Sequence, residues 1–455
     1  MRAVKARQIV LLVGDLAILY ISLAITLAIR YGWSDFARQF ELHLIPMSTI
    51  FVAWLTVLYV NGLYDLFNLK LSYALIRRFT ESWLFGVAVA VALFYFVPLF
   101  NITPRTNLFI LSFAFAILFV LWRFVIGHSQ RTGVRVLAIN PNEELLTLLE
   151  TLRANPQLGY DIVGMISNEE HKTDIQNFSS ETPIRALVSE HHVSLIVMPF
   201  NTGTSTTKLY GELYELLFWD VYTMPADAFF ESLSGRIAFA SLQDSWFFEN
   251  LQPHHMPLYL AMQRVMDYLL SIIGLIVLII ITPIVAVFIK WKSPGPLFYM
   301  QERIGKGGKK FNVIKFRTMH ALDESGGAEL QGAQFTTPND PRITKAGRII
   351  RTLRIDELPQ VINVLKGEMA IIGPRPERPH FVDQFEKIMP YYTVRNLVKP
   401  GLTGWAQINY SYAETTEQQL IKFQYDLFYI KNRSLMLDIT IILKTLHVII
   451  YGKGR

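Results

Sequence analysis

Four apolar runs crowd the first 130 residues of the chain, at about positions 9–29, 42–63, 83–100 and 108–126. Each is close to the ~20 residues that an α-helix needs to cross a bilayer. Basic residues stand before the first run (Arg2, Lys5, Arg7), between the second and third (Lys70, Arg77, Arg78) and after the fourth (Arg123, Arg131, Arg135). The other two connections hold Arg30 and Arg38 balanced by Asp35 and Glu41, and a single Arg105. Positive charge favours the cytoplasmic side, so both ends of this bundle are expected there. No small-residue cleavage site follows the first run, which reads as a retained anchor rather than a removed signal peptide. Asp15 lies inside that run, and an intramembrane carboxylate is a functional candidate by default. Near the cytoplasmic end, however, it reads better as a structural group that reaches water or caps a neighbouring helix.

Composition agrees with a membrane protein. Of 455 residues, 51% are hydrophobic, the mean hydropathy is +0.30, and the excess is confined to discrete segments. A net charge of +6 suits anionic lipid head groups or phosphorylated substrates. No basic stripe interleaved with aromatic residues stands out, so no nucleic-acid partner is expected. Cysteine is absent, which excludes disulfide scaffolds and thiolate metal sites.

From about residue 133 the pattern changes to alternating strands and helices. Residues 134–139, 160–166 and 193–198 read as strands, and 143–154 and 184–191 as helices, which predicts an α/β module with a parallel sheet. A dinucleotide site would need G-x-G-x-x-G after the first strand. The turn here, Ala138-Ile-Asn-Pro-Asn-Glu-Glu144, has no glycine and sets acids where a pyrophosphate would sit. A degenerate, Rossmann-like module used for packing or regulation is the better reading, and it offers a surface for a homodimer.

A fifth apolar run, 269–289, begins after Arg264 and Asp267 and ends at Lys290 and Lys292. Thr282 and Pro283 lie inside it, and proline removes an amide donor there, which predicts a break or kink. Basic flanks at both ends favour a re-entrant helix, at about 264–290, that enters and leaves on the cytoplasmic side. Arg264 and Asp267 would mark the membrane surface. The final apolar stretch, 434–451, carries Asp438, Lys444 and His447 and reads as an amphipathic helix lying on the membrane.

The chemistry-bearing region follows the fifth run. A glycine-rich turn at 305–308 predicts a hairpin. Arg348, Arg351 and Arg354 recur every three residues, as a basic helical ridge would. They lead into the adjacent carboxylates Asp356 and Glu357, which are followed within about 20 residues by Arg375 and Arg378 in a Gly/Pro-stiffened turn. Carboxylates beside arginines are suited to holding a metal–diphosphate and attacking its phosphorus. His254 and His255 have no spaced third ligand and read as a linker, not a metal site. Trp405, in a tight Gly/Pro loop, is expected to be an interfacial anchor.

The ordered motifs Gln263-Arg-Val-Met-Asp267, Gln301-Glu-Arg-Ile-Gly305, Lys315-Phe-Arg-Thr-Met319, Asp340-Pro-Arg-Ile-Thr344, Asp356-Glu-Leu-Pro-Gln360, Gly373-Pro-Arg-Pro-Glu-Arg378, Lys399-Pro-Gly-Leu-Thr-Gly-Trp405 and Tyr425-Asp-Leu-Phe-Tyr-Ile430 closely resemble the bacterial monotopic phosphoglycosyl transferases, or bacterial sugar transferases, in their large form. The resemblance implies three parts: four transmembrane helices (1–130), a degenerate Rossmann-like α/β domain (131–250) and an α-rich catalytic domain with a re-entrant membrane helix (251–455). It implies that Asp356 attacks the sugar-bearing phosphorus of a UDP-sugar, that Glu357 acts with Mg2+, and that undecaprenyl phosphate accepts the phosphosugar at the cytoplasmic face of the inner membrane. Glucose and galactose are the expected sugars, with N-acetylated or diacetamido sugars behind them, and Lys315, Arg317, Arg375 and Arg378 the expected phosphate and nucleotide contacts. The chain departs from the family at Gln263, where lysine is usual, at His380, where glutamate is frequent, and at Arg354 and Ile355. A membrane-anchored epimerase or dehydratase would require a glycine-rich phosphate loop and a Tyr-x-x-x-Lys pair, and the sequence has neither. A silent scaffold would tolerate loss of Asp356 or Glu357, and both are present. Polytopic phosphosugar transferases need more than four spans.

Overall fold

The computed structural model describes residues 2–66, 72–96, 105–128, 133–169, 171–198, 207–216, 218–219, 221–242, 244–251, 256–321, 340–410 and 415–450. Lys70, Arg131 and the His254-His255 pair lie outside these residues. The chain forms two compact units, Met1–Ser234 and Gly235–Arg455. The boundary therefore falls before the expected 250/251. Ile237, Trp246 and Phe247 are buried with Phe381, Phe385, Tyr392 and Phe423, so the segment before residue 251 packs into the second unit.

The first unit opens with four helices: α1 (Arg2–Tyr31), α2 (Phe36–Val60), α3 (Tyr73–Phe96) and α4 (Arg105–His128). All four are long and apolar enough to cross a membrane, as is one helix of the second unit. Leu19, Leu23 and Leu27 of α1 are buried in the bundle, as are Ile50 and Phe51 of α2 and Leu111 and Phe115 of α4. Ile9, Val13, Val52, Phe109 and Ile117 remain exposed, as lipid-facing side chains should be. Gly14 lies against the Trp122 ring so closely that a Cβ would collide with it, so this glycine permits the approach of α1 to α4. One residue further along each helix, Arg123 donates to Asp15 at 2.7 Å, with both side chains fully buried. Asp15 is thus structural, through a partner on α4 rather than through water or a cap. Arg123 is not a loop charge at all. Arg7, at the start of α1, donates to the carbonyl of Gln157 at 2.9 Å, tying that helix end to the module that follows α4.

That module is β1 (Val134–Ile139), α5 (Glu143–Ala154), β2 (Tyr160–Ile166), β3 (Asn177–Phe178), α6 (Ile184–His191), β4 (Leu195–Met198), α7 (Thr207–Leu216), β5 (Tyr222–Pro225) and α8 (Ala226–Ser234). Its five strands are parallel in the order β3-β2-β1-β4-β5. After β1 the Asn142 side chain accepts from the amide of Leu145, and Glu143 and Glu144 fill the first helical turn. The helix N-terminus is capped by the protein itself, with acids where an anion would otherwise bind.

The second unit contains α9 (Asp244–Asn250), α10 (Pro257–Lys292), β6 (Phe298–Ile304), β7 (Lys310–Phe316), α11 (Lys345–Thr352), α12 (Val361–Leu365), β8 (Ala370–Ile372), α13 (Pro379–Ile388), β9 (Gly401–Thr403), α14 (Trp405–Asn409), α15 (Thr416–Lys431) and α16 (Leu435–Ile450). The predicted hairpin is present, with β6 and β7 antiparallel and Gly307 and Gly308 at positive φ in the turn. Of the break or kink expected at Thr282 and Pro283, an interruption of the helix is not seen: α10 runs through both as helix, and the Thr282 hydroxyl donates to the Leu278 carbonyl at 2.6 Å. Most of its apolar length is exposed, including Leu269, Ile273, Ile280 and Phe288. Both of its ends are tied to the same unit. Asp267 accepts from the Ile371 amide at 2.8 Å, and Ser293, just past the helix, offers its carbonyl to Arg317 at 2.7 Å. In α16, Asp438 points inward and accepts from Tyr259 and Tyr429 at 3.0 and 3.1 Å, while Met436, Ile439, Leu446 and Ile449 are exposed. Trp405 is no free anchor, since its indole donates to the Gly235 carbonyl at 2.7 Å and stacks on Phe428.

Candidate active site

The acid pair is presented by a deliberate change of backbone direction. α11 ends at Thr352, and Arg354 then adopts a left-handed conformation with φ 55°. This strains a non-glycine residue and takes Arg354 off the ridge formed by Arg348 and Arg351, contrary to the three-residue periodicity. Residues Ile355–Gln360 follow as a tight 3-10 turn. Ile355 and Leu358 of that turn pack against the cluster of Phe316, Ile350 and Val361. The apolar pair anchors the turn and leaves Asp356 and Glu357 to be presented between β7 and the Arg375 turn.

Glu357 is held by cations from three directions. Its Oε1 accepts from Nη2 of Arg375 at 2.6 Å and from Nζ of Lys315 at 3.2 Å, and its Oε2 lies 3.8 Å from Nη1 of Arg354. Burial on its own would raise this carboxyl, but the charges of Arg375, Lys315 and Arg354 together hold it well below the usual carboxylate range. The Asp356 carboxyl is pushed upward, by burial first and then by the negative charge of Glu357, with Lys315, Arg351 and Arg375 opposing. Two neighbouring acids are thereby driven apart in acidity, as expected when like charges share a site. Among the described residues nothing hydrogen-bonds the Asp356 carboxylate. Its oxygens remain available to react.

The cations are positioned by residues that pattern reading passed over. Asn363 on α12 accepts from the Ile314 amide at 3.1 Å and donates to the Asn312 carbonyl at 2.8 Å, locking β7 so that Lys315 meets Glu357. In the turn after β8, three successive carbonyls are fixed: Arg395 donates to that of Arg375 at 2.9 Å, Arg303 to that of Pro376 at 3.1 Å, and the Ile304 amide to that of Glu377 at 2.9 Å. Arg395 is itself held by Asp426 at 2.7 Å, with both side chains almost fully buried. Gly373 is required here because a Cβ would run into the backbone of Lys399 and Gly401. Asp426 stands inside the Tyr-Asp-Leu-Phe-Tyr stretch, and a charge in so apolar a run was the available signal.

Of the expected contacts, Lys315 and Arg375 join the acid pair. Arg317 does not. It is 2% exposed and spends its guanidinium on the carbonyls of Ser293 and Pro294, so it tethers the end of α10. Arg378 precedes α13 with its guanidinium 5.8 Å from the Phe381 ring centre. Arg264 is exposed, whereas Asp267 is turned inward onto Ile371.

The donor set fits a magnesium ion. Mg2+ is usually bound through one or two carboxylates with substrate phosphates and water completing an octahedron. Among the described residues Glu357 Oε2 has only the distant Arg354, and both Asp356 oxygens are free of hydrogen bonds. Among the described residues no cluster of three or more potential ligands exists, so phosphate oxygens and water would supply the remainder.

The family model described as bacterial sugar transferase matches residues 258–452. A UDP-N-acetylgalactosamine-undecaprenyl-phosphate N-acetylgalactosaminephosphotransferase of Aeromonas hydrophila is 43% identical over 224 residues, 49% of this chain and 51% of that protein. The match thus spans about half the length of that relative. An undecaprenyl-phosphate glucose phosphotransferase of Komagataeibacter xylinus is 31% identical over 78% of this chain and 67% of its own length. A UDP-glucose:undecaprenyl-phosphate glucose-1-phosphate transferase of Klebsiella pneumoniae is 29% identical over 89% of this chain and 88% of its own length. The matched segment holds α10, the acid pair and every residue that positions it, and on these likenesses the chain belongs to the bacterial sugar transferase family.

Proposed function

We propose that this protein transfers a phosphosugar from a UDP-sugar to undecaprenyl phosphate, releasing UMP, as a priming step of surface polysaccharide synthesis. UDP-glucose or UDP-galactose is the donor. The observation that carries the reading is the asymmetry of the acid pair: Glu357 Oε1 is held by Arg375 and Lys315, while among the described residues nothing hydrogen-bonds Asp356 beside it. An oxygen of ionised Asp356 forms a bond to the β-phosphorus, and the bond from that phosphorus to the bridging oxygen breaks, so UMP leaves with the electron pair. An oxygen of the lipid phosphate then attacks the same phosphorus, returning Asp356 as a carboxylate and leaving a lipid-linked diphosphosugar. Arg375 and Lys315 offset charge that would otherwise repel one anion from another. Glu357 would hold Mg2+, which would neutralise diphosphate charge when bound.

The membrane arrangement supports the same reading. Asp267 and Ser293 are 26 positions apart, a span of ~39 Å for a straight helix, yet both contact one polar unit. A bilayer between those ends would bury that unit in lipid, so α10 is read as re-entrant, with Arg264 near the head groups and the site at the cytoplasmic face of the inner membrane. A homodimer is part of the proposal, and its mass in detergent tests it. The central experiment incubates purified protein with Mg2+, undecaprenyl phosphate and a panel of UDP-sugars. UMP release is expected, abolished in Asp356→Asn. Release of UDP would sink the phosphosugar assignment, and full turnover by the Asn variant would sink the nucleophile.

A further inference from the structure

A strained residue beside the acid pair carries a charge. Helix α11 ends at Thr352, Leu353 caps it, and Arg354 takes the left-handed position that follows, at φ 55° and ψ 21°. Glycine is the usual occupant of that position because it has no Cβ to clash, so an arginine there costs backbone strain. The turn itself holds the conformation. The Arg354 amide donates to the Arg351 carbonyl at 3.0 Å, and the Arg354 carbonyl accepts from the Glu357 amide at 3.4 Å. With the backbone so turned, the Arg354 side chain reaches forward three residues, to within 3.8 Å of the Glu357 carboxylate.

The oxygen it faces decides what it can do. Oε1 of Glu357 is filled by Arg375 at 2.6 Å and Lys315 at 3.2 Å. Among the described residues Oε2 meets only the Arg354 guanidinium, at 3.8 Å, too far for a hydrogen bond. That arginine side chain is 33% exposed, so a contact this loose is given up at little cost. A magnesium ion on Oε2 would lie ~2.1 Å from it and keep several waters. Its double positive charge would repel a guanidinium standing over the same oxygen. We propose that Arg354 is a positioning residue that holds Oε2 of Glu357 before the donor binds and yields that oxygen to Mg2+ arriving with the diphosphate. Glu357 is thereby kept in place without a metal, and the free ion is kept out until phosphate charge offsets the displaced arginine. The inference rests on the phosphosugar-transfer reading, in which Glu357 holds the metal, and adds a residue to it.

The test uses full-length protein in detergent and titrates Mn2+, a paramagnetic stand-in that takes the same oxygen ligands as Mg2+, following the free ion by electron paramagnetic resonance with no nucleotide present. Arg354→Gly removes the charge and relieves the backbone, Arg354→Met removes the charge alone, and Arg354→Lys keeps it. Both charge-removing variants are expected to bind Mn2+ roughly 3- to 10-fold more tightly than wild type, the scale of a partly exposed contact with a divalent charge, and Arg354→Lys to stay within about twofold. Adding Glu357→Gln to Arg354→Met should abolish the gain. Affinity unchanged or weakened in both charge-removing variants would overturn the proposal. So would an equal gain in Arg354→Lys, or a gain that survives Glu357→Gln. Absence of any UMP from wild type supplied with donor and undecaprenyl phosphate refutes the transfer reaction itself, a result separate from the metal titration.

Discussion

Replacing Arg375 by methionine isolates the electrostatic argument about the acid pair. The Arg375–Glu357 contact is 2.6 Å, with the arginine side chain 33% exposed and the glutamate 13%. At an effective dielectric of ~20, two unit charges that close attract by roughly 6 kcal/mol. Desolvation and the partial exposure of Arg375 return most of that, leaving about 2–3 kcal/mol, typical of a charge-assisted hydrogen bond. If this interaction is needed at the transition state, kcat/KM should fall roughly 30- to 150-fold. A second signature separates this from loss of packing. With one cation fewer, Glu357 keeps only Lys315 at 3.2 Å and Arg354 at 3.8 Å, and both acids become easier to protonate. Attack requires ionised Asp356, so activity is lost as pH falls through its pKa, and raising that pKa moves the acid limb of the rate profile to higher pH. UMP release measured from about pH 5 to about pH 9 tests both effects, with Arg375→Lys as the charge-keeping control. A variant within about threefold of wild type, with an unmoved acid limb, would refute the idea that Arg375 tunes the pair.

Two further outcomes follow from buried charges elsewhere. The Asp438 carboxyl is raised from 3.8 to about 6 by burial, against the donors Tyr259 and Tyr429, so the folded protein binds its proton more readily than the unfolded chain; the resulting stabilisation, roughly 3 kcal/mol, is complete below pH 4 and lost as pH rises through about 6. Thermal melts at about pH 5 and pH 7.5 should therefore differ less in Asp438→Asn than in wild type, and an identical difference would contradict this account. In the membrane bundle, Arg123→Met or Asp15→Asn alone strands a fully buried charge and should destabilise by about 3–5 kcal/mol, whereas the double variant should recover much of the loss; additive losses in a double-mutant cycle of detergent unfolding would argue against direct pairing.

The elements best read from sequence were those with strong local periodicity. Residues 143–154 and 184–191 follow helical patterns closely enough that α5 and α6 begin and end where the pattern does. Three of the five parallel strands, β1, β2 and β4, and the glycine hairpin were also visible, since a short buried apolar run and a glycine-rich turn are local signals, whereas β3 and β5 were not read. What failed depended on distant partners. Arg123 looks like a basic residue ending a span, and only Asp15, more than 100 positions away, makes it a buried ion pair. Arg317 sits in the same Lys-Phe-Arg motif two positions after Lys315, where strand alternation alone would put both on one face, yet β7 ends at Phe316 and the arginine beyond it reaches back to Ser293 while the lysine meets Glu357. Pro283 lacks an amide donor and so predicts a break or kink, and an apolar helix with Thr282 bonding back to Leu278 continues through it without interruption.

The candidate site shows the same division at finer scale. Sequence displays Asp356 and Glu357 as adjacent and chemically alike, and nothing in their order says which one reacts. Their difference comes from three chain segments converging on one of them: β7 brings Lys315, the strained residue before the turn is Arg354, and the Gly/Pro turn after β8 brings Arg375. That last segment is not rigid by virtue of its prolines alone. Its carbonyls are gripped by Arg303 and Arg395, and Arg395 depends in turn on Asp426 from α15. A buried arginine is expensive unless its donors are filled, and here they are filled by the backbone whose position decides where Arg375 points. The nucleophilic role proposed for Asp356 would therefore be a property of the whole domain: the surrounding fold commits Glu357 to cations, and among the described residues leaves its neighbour without a hydrogen bond.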